Sequence, residues 1–227
     1  MFKYDTHVHT SDVSRCALMS AGETVRRYID AGYTGLCFTN HYSPSYFDSL
    51  TGSWREKADK FLSGYRNARD AGGLDILLGA EILFDNGRYG HNDYLLFGLT
   101  EEIVYDYPEL HRLTFEEMRS LADEKGMLII QAHPMRDRMQ LLELDLLDGM
   151  EVYNGNQNHV ARNEEVARFA RKRSGYIMTS GSDCHEEKHV ARGGILSPKR
   201  LGTSQELAEL LKSGDYKLIC PFDPMTV

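Results

Sequence analysis

The sequence has few of the residues that would indicate a disulfide-stabilised or membrane-bound protein. It contains four cysteines in 227 residues, and no two of them form a CxxC pair. This number and spacing argue against a disulfide framework and favour a reducing compartment. No apolar run is long enough to span a bilayer, and the first ten residues lack the apolar core of a signal peptide. We therefore expect a cytoplasmic protein without membrane attachment.

Basic residues are outnumbered by acidic ones. The chain has 26 Lys and Arg residues against 34 Asp and Glu residues, and its formal net charge is −8. Nucleic acids and anionic membranes bind basic surfaces, so we expect no stable binding to either. A small phosphorylated substrate is compatible with this charge, because bound divalent cations would reverse its sign locally. The sequence leaves the oligomeric state open.

Proline and glycine do not gather into a linker, so the chain is predicted to form one domain over residues 1–227. Short apolar runs alternate with longer amphipathic segments, which is typical of a mainly parallel sheet covered by helices. Strands are predicted at residues 2–6, 34–39, 74–80, 93–98, 127–131, 149–153, 175–180 and 216–219. Helices are predicted near residues 21–31, 54–71, 115–125, 138–147, 159–173 and 204–213. Residues 42–53 and 182–201 interrupt the alternation and are predicted to be loops around a pocket.

Histidines and carboxylates occur where the predicted strands end. His7 and His9 are two residues apart on a strand, so their side chains point to the same face. Asp183 and His185 have the same spacing near the other end of the chain. Three further apolar runs close on His41, Glu81 and His133. A carboxylate after an apolar run is costly to bury unless it meets a cation. Together these residues indicate a metal site of the kind found at strand ends in barrel enzymes.

These segments resemble the polymerase and histidinol phosphatase (PHP) family of metal-dependent phosphoesterases. In chain order they are DTHVHT at 5–10, TNHY at 39–42, GAEI at 79–82, QAHP at 131–134 and GSDCH at 181–185. The resemblance implies an α/β fold, a distorted seven-stranded (β/α) barrel similar to a TIM barrel. It also implies two or three divalent ions, Mn, Zn or Fe, and hydrolysis of a phosphoester by attack of a metal-bound hydroxide. A small phosphomonoester is the expected substrate.

The resemblance also implies which residues hold each ion. The first ion would be bound by His7, His9, Glu81 and Asp183. Glu81 would bridge to a second ion bound by His91 and His133, and His41 and His185 would bind a third. Many relatives have an aspartate or histidine five or six positions after the second histidine of HxH, where this chain has Ser14 and Arg15. Asp12 is the nearest carboxylate and is expected to take that place. The implied ligand set contains no thiol.

Catalytic roles are expected for Glu81, Asp183, His185 and His41. Either of the two histidines could protonate the leaving alkoxide if the third ion were absent. Basic residues in or after the motif segments are expected to bind the phosphate. The first of these are Arg136, three positions after His133, and Arg192, seven positions after His185; Arg15 and Lys188 are the others.

Two other functions fit the same residues. The chain could be a non-catalytic or regulatory metal-binding module, which the departure at Ser14 and Arg15 favours. It could also be an amidohydrolase that cleaves a C–N bond, although no lysine that could be carboxylated closes a predicted strand. Histidinol phosphate, a nucleotide and a sugar phosphate all remain open as substrates. Asp5 could support a metal histidine or cap local amides.

Overall fold

Eleven strands and seven α-helices form the part of the chain that this computed structural model describes, residues 1–84 and 92–227. The strands are β1 (Phe2–Val8), β2 (Gly35–Phe38), β3 (His41–Tyr42), β4 (Asp75–Leu78), β5 (Ala80–Ile82), β6 (Tyr94–Phe97), β7 (Leu128–Gln131), β8 (Gly149–Asn154), β9 (Ile177–Gly181), β10 (Gly194–Ser197) and β11 (Lys217–Ile219). The α-helices are α1 (Ala21–Asp30), α2 (Pro44–Phe47), α3 (Trp54–Ala71), α4 (Glu101–Asp106), α5 (Phe115–Lys125), α6 (Asn163–Arg171) and α7 (Ser204–Ser213). Short 3₁₀-helices lie at Leu110–Arg112, Leu144–Leu146 and Glu187–His189. Among these described residues, no helix is both long and apolar enough to cross a membrane.

The strands form two mixed sheets that are joined at the end of β1 and covered by helices, which confirms the predicted α/β fold class and agrees with the distorted (β/α) barrel that the resemblance implies. One sheet has the order β11-β10-β1-β2-β4 and the other has the order β3-β5-β6-β7-β8-β9. The chain passes from β4 in the first sheet to β5 in the second through the single residue Gly79. A bridge between Val8 and Cys184 connects the end of β1 to the residues after β9. Five of the nine described strand pairs are parallel, whereas β6 is antiparallel to β5 and β7, and β10 is antiparallel to β1 and β11.

Hydroxyl side chains start the longer helices. Ser20 accepts a hydrogen bond from the backbone N–H of Glu23 at the start of α1. Helices α3, α5 and α7 begin with complete capping boxes at Ser53, Thr114 and Thr203. In each box, the side chain of the glutamate three residues later accepts a hydrogen bond from the backbone N–H of the capping residue. The predicted bounds of α3, α5 and α7 are therefore confirmed.

The helix predicted over residues 138–147 is wrong. Its apolar residues do pack against the core, among them Leu142 and Leu144, but only a single 3₁₀ turn forms there. The backbone is instead bound by the side chains of Gln131, the last residue of β7, and of Asn92, which precedes β6. The carbonyl oxygen of Gln140 accepts hydrogen bonds from Asn92 and Gln131, and its N–H donates to Asn92. These tertiary contacts satisfy the groups that a helix would have paired.

Other predicted segments also differ from the observed structure. Helix α6 begins at Asn163 and not at residue 159, because Arg162 adopts a left-handed conformation that a helix does not continue (φ 50°). The region 182–201 is not all loop, since β10 pairs antiparallel with β1 there. Residues 42–53 contain the short helix α2, whose Phe47 is buried in the core.

The barrel brings the first and last motif segments into contact. The N–H of His9 donates to the carbonyl of Cys184 at 3.0 Å, and the N–H of Cys184 donates to the carbonyl of His7 at 3.2 Å. Gly181 permits this close approach, because a side chain there would place its Cβ 2.3 Å from the Cβ of His7. Asp183 follows in a left-handed conformation (φ 48°), which aspartate tolerates better than most residues.

Candidate metal centre

Five ligand-type residues from four separate segments meet in one buried cluster. It consists of His7, His9, Glu81, His133 and Asp183, none of which is more than 2 % exposed. His7 Nε2 lies 3.0 Å from His9 Nε2, 3.4 Å from Glu81 Oε1 and 3.5 Å from Asp183 Oδ1. The cluster contains two groups of three residues whose potential ligand atoms all lie within 4.8 Å of one another. One group is His7, His9 and Glu81, and the other is His7, His133 and Asp183.

Glu81 lies between two sets of imidazoles. Its Oε1 is 2.9 Å from His133 Nε2, while its Oε2 is 2.9 Å from His41 Nδ1 and 3.3 Å from His9 Nε2. The buried Oε2 has no hydrogen bond of normal geometry. A carboxylate whose two oxygens face different nitrogen ligands has the arrangement needed to bridge two ions.

A third group lies at the outer side of the cluster. The potential ligand atoms of His9, His41 and His185 are all within 4.8 Å of one another. The ring centroids of His41 and His185 are 4.5 Å and 4.2 Å from that of His9. His185 Nδ1 lies 3.1 Å from Asp183 Oδ1, so this group is continuous with the buried cluster.

The imidazoles of His7 and His9 are each oriented by a hydrogen bond at Nδ1, the ring nitrogen that faces away from the other potential ligands. His7 Nδ1 lies 2.8 Å from Glu151 Oε1, and a carboxylate can only accept from it. His9 Nδ1 lies 3.2 Å from Ser14 Oγ, whose own proton is donated to Asn40 Oδ1. Both imidazoles therefore carry a proton on Nδ1 and direct Nε2 inward. Two Nε2 atoms 3.0 Å apart need a shared proton or a cation near both, so these residues fit a metal ion.

The carboxylates favour positive charge in this cluster. Burial disfavours a charged His7, but the carboxylates of Glu151, Asp183 and Glu81 outweigh burial and raise the pKa of His7 well above its ordinary value. Burial likewise opposes a charged Glu81, yet His7 and His41 hold its pKa well below the usual range. His9 differs, because burial and the neighbouring His185 and His41 lower its pKa. Neutral imidazole and ionised carboxylate are the forms that bind metal.

Asp12 is not brought into the cluster. Its Oδ2 accepts a hydrogen bond from the N–H of Ala21 at 2.7 Å, at the start of α1, and its Oδ1 accepts from Asn67 at 2.7 Å. His91 lies outside the described residues. Asp5 caps local amides, since its Oδ1 accepts from the N–H groups of His7 and Ser182.

Sequence reasoning missed two carboxylates. Glu151 accepts from His7, and its second oxygen accepts from the N–H of His133 at 3.0 Å. Asp93 forms a group with Glu81 and His133. Burial and the charge of Glu81 raise the pKa of Asp93 to about 7. The sequence does contain a signal for both residues: Glu151 lies inside an otherwise apolar predicted strand, and Asp93 lies at the start of another.

The sequence profile of the PHP domain matches residues 5–213, and that interval contains every member of the cluster. This chain belongs to the PHP family. PHP membership and the buried ligand cluster together identify a metal-dependent hydrolase. No curated protein matches the chain significantly.

Solved structures share the PHP fold of this chain at low sequence identity. PsfC from Pseudomonas syringae superposes with a TM-score of 0.69 at 15 % identity, over 99 % of this chain and 93 % of that one. The lesion-specific endonuclease PfuEndoQ from Pyrococcus furiosus gives 0.63 at 17 %, over 98 % and 59 %. An amidohydrolase from Chromobacterium violaceum, solved with bound sulfate and no metal, gives 0.56 at 16 %, over 97 % and 98 %. At these identities the likeness shows the fold alone.

A cavity of about 330 Å³ opens beside the buried cluster of potential ligands. Its lining includes His41, Asp93 and Tyr46, together with Arg15 and Cys16. A larger cleft of about 650 Å³ lies elsewhere on the described surface, beside Lys172 and other residues. It contains no residue of the ligand groups, whereas the smaller cavity is lined by His41 and Asp93, so the smaller cavity is the candidate substrate pocket.

The four predicted phosphate-binding residues have different surroundings. Arg15 lines the cavity and donates to Ser49 Oγ at 3.0 Å. Arg136 is 85 % buried, and its Nη2 lies 2.5 Å from Asp183 Oδ2. Lys188 pairs with Glu186 at 3.0 Å on the surface. Arg192 is also exposed, and its Nε donates to the carbonyl of Lys188. Of the four, Arg15 alone lines this cavity.

Proposed function

We propose that this PHP protein is a cytoplasmic phosphatase that hydrolyses a small phosphomonoester in a centre of two or three divalent ions. The observation that carries the proposal is the position of Glu81, whose two oxygens face two sets of imidazoles. Bound ions would lower the pKa of water and polarise the phosphoryl oxygens. That chemistry matches the phosphoester hydrolysis implied by the resemblance to the family.

The proposed ligand sets follow the observed groups. The first ion is assigned to His7, His9, Glu81 and Asp183. The second is assigned to Glu81, His133 and Asp93, with Asp93 supplying a ligand in addition to the predicted His91. The third is assigned to His41 and His185, which lie beside His9, because the one free nitrogen of His9 is already assigned to the first ion. Mixed nitrogen and oxygen donors of this kind suit Mn, Zn and Fe.

The side chains around the cavity have separate tasks in this proposal. Arg15 neutralises the phosphate, because it is the basic residue among the four candidates that lines the cavity. Arg136 holds Asp183 in place and does not bind substrate directly. His41 is one-third exposed toward the same cavity and could protonate the leaving alkoxide if the third ion is not bound.

A small substrate is favoured by size and charge. A volume of about 330 Å³ is at the lower end of ordinary small-molecule pockets. The net charge of −8 opposes binding of a long nucleic acid. These two properties favour a phosphorylated metabolite over the DNA substrate indicated by the name of the endonuclease neighbour.

The test is elemental analysis of purified protein followed by a phosphatase screen with Mn, Zn or Fe supplied. We expect two or more transition-metal ions per chain and release of inorganic phosphate from a set of sugar phosphates, nucleotides and histidinol phosphate. Parallel assays with a single-stranded DNA and with N-acyl substrates cover nuclease and C–N hydrolase activity. Phosphate release that survives Glu81→Ala would reject the assigned site. Bound metal without any turnover would favour the non-catalytic alternative.

A further inference from the structure

Asn154, the last residue of β8, joins two carboxylates of the candidate metal centre and is itself only 3 % exposed. Its Nδ2 lies 2.9 Å from Glu151 Oε2 and 3.2 Å from Asp183 Oδ2. The other oxygen of Glu151 accepts from His7 Nδ1. Because an amide NH₂ group has two protons, Asn154 donates one to Asp183, a potential ligand, and one to the carboxylate that orients His7.

The partners of the Asn154 amide allow only one orientation of it. Its Oδ1 accepts from Arg136 Nη2 at 3.2 Å and from the backbone N–H of Asn156 at 3.1 Å. A guanidinium and a backbone N–H can only donate, whereas ionised carboxylates can only accept. A flipped amide would set donors against donors and acceptors against acceptors. The four contacts therefore use both protons and both lone pairs of this buried amide.

The backbone of Asn154 is held by a second asparagine. Asn163, the first residue of α6, accepts from the N–H of Asn154 through Oδ1 at 3.0 Å and donates from Nδ2 to the carbonyl of Asn154 at 3.0 Å. On the neighbouring strand, Asn154 pairs with Gly181, two residues before Asp183. With both its backbone and its amide fixed, Asn154 is a rigid support for the groups that it contacts.

The two oxygens of Asp183 lie in different surroundings. Oδ2 accepts from Arg136 Nη2 at 2.5 Å, from Asn154 and from Asn156 Nδ2 at 3.3 Å. Oδ1 faces the potential ligands and lies 3.5 Å from His7 Nε2. Three donors on one oxygen leave the other oxygen available to an ion.

We propose that Asn154 is a positioning residue that holds Asp183 as a one-oxygen ligand of the first ion and ties it to Glu151, the carboxylate that orients His7. This inference rests on the ligand set proposed above for that ion. Without the amide, Glu151 Oε2 and Asp183 Oδ2 share no donor, and neighbouring buried carboxylates repel. His7 and Asp183 then lose their alignment together. Loss of a hydrogen bond that supports a ligand weakens metal binding about 10–100-fold.

The experiment is a double-mutant cycle on the affinity for Zn²⁺, measured in the full-length protein by competition with a chelator. The cycle compares the wild type, Asn154→Ala, Glu151→Gln and the double variant. Asn154→Leu, which keeps the branched shape of the side chain, is run in the same cycle so that the test does not depend on one variant folding. The matched control is Asn67→Ala, because Asn67 also donates to a carboxylate, that of Asp12, at 2.7 Å, but is exposed and lies outside the cluster. Melting curves of the metal-free proteins check that each variant is folded.

We expect Asn154→Ala and Glu151→Gln each to weaken one Zn²⁺ position about 10–100-fold. The double variant should lose less than the product of the two, because both changes act on one hydrogen-bonded unit. A general loosening of the fold would instead multiply the two losses. Asn67→Ala should change the affinity of neither the wild type nor Glu151→Gln.

Unchanged affinity in both Asn154 variants, or losses that multiply, would overturn the positioning role. If phosphate release that depends on Glu81 persists in that case, the proposed function stands. A wild type that binds no Zn²⁺ would reject both.

Discussion

Replacing Glu81 by glutamine tests the bridging role with almost no change in volume. The amide keeps one oxygen, but its NH₂ group cannot bind a cation, so one side of the bridge is lost. Because Oε1 faces His133 and Oε2 faces His41 and His9, at 2.9 to 3.3 Å, we expect the loss of at least one ion per chain. Loss of one preorganised electrostatic contact to the reacting group costs about 10²–10³-fold in rate, or about 3–4 kcal/mol.

The same change should reduce stabilisation by metal. An ion at 100 times its dissociation constant stabilises a folded protein by about 2.7 kcal/mol, which is about 5–10 °C in Tm for a chain of this size. Melting curves with and without Mn²⁺, elemental analysis and phosphate release measure the three effects together. Glu101→Gln is the control, because Glu101 pairs with Arg66 at the surface and should keep both metal and activity. A Glu81→Gln protein with full metal content and wild-type turnover would refute the bridging geometry.

Three further predictions address the surrounding residues. Glu151→Gln should weaken metal binding by about 10–100-fold in chelator competition, because the hydrogen bond that orients His7 is altered; unchanged affinity would contradict that role. Arg15→Ala should raise KM about tenfold with metal content intact, whereas Lys188→Ala should change neither; equal effects on KM would contradict the cavity assignment. Burial opposes a charged His185, but hydrogen bonds to Asp183 and Cys16 raise its pKa to about 10. Stability from this group is complete below the unfolded value of about 6.5 and is lost as pH rises toward 10. The Tm of the metal-free protein should therefore fall over that range, and a Tm that rises there would refute the inference.

The fold was predictable where local and tertiary preferences agree. Helices α3, α5 and α7 begin at hydroxyl caps with a glutamate three residues on, and this signal is local in sequence. The segment 138–147 has an apolar pattern that also suits a helix, but side chains from Asn92 and Gln131 bind its backbone. Asn92 is 48 residues and Gln131 nine residues from Gln140, and the periodicity of the segment itself does not reveal these contacts.

The site was predictable where a ligand-type residue closes an apolar run. His41, Glu81 and His133 are predicted in this way, and the barrel brings them together. Glu151 and Asp93 were not recognised, because a carboxylate within or before a strand looks the same whether it faces solvent or a metal. Their role depends on which neighbouring strands meet, and only the three-dimensional arrangement shows that.

The most direct test is a crystal structure of the metal-loaded protein with anomalous diffraction measured at the absorption edge of the bound element. We predict at least two anomalous peaks a few ångströms apart, with Glu81 between them, His7 and Asp183 on one and His133 on the other. Imidazoles that hydrogen-bond directly to the carboxylates, with no peak among them after loading, would contradict the account.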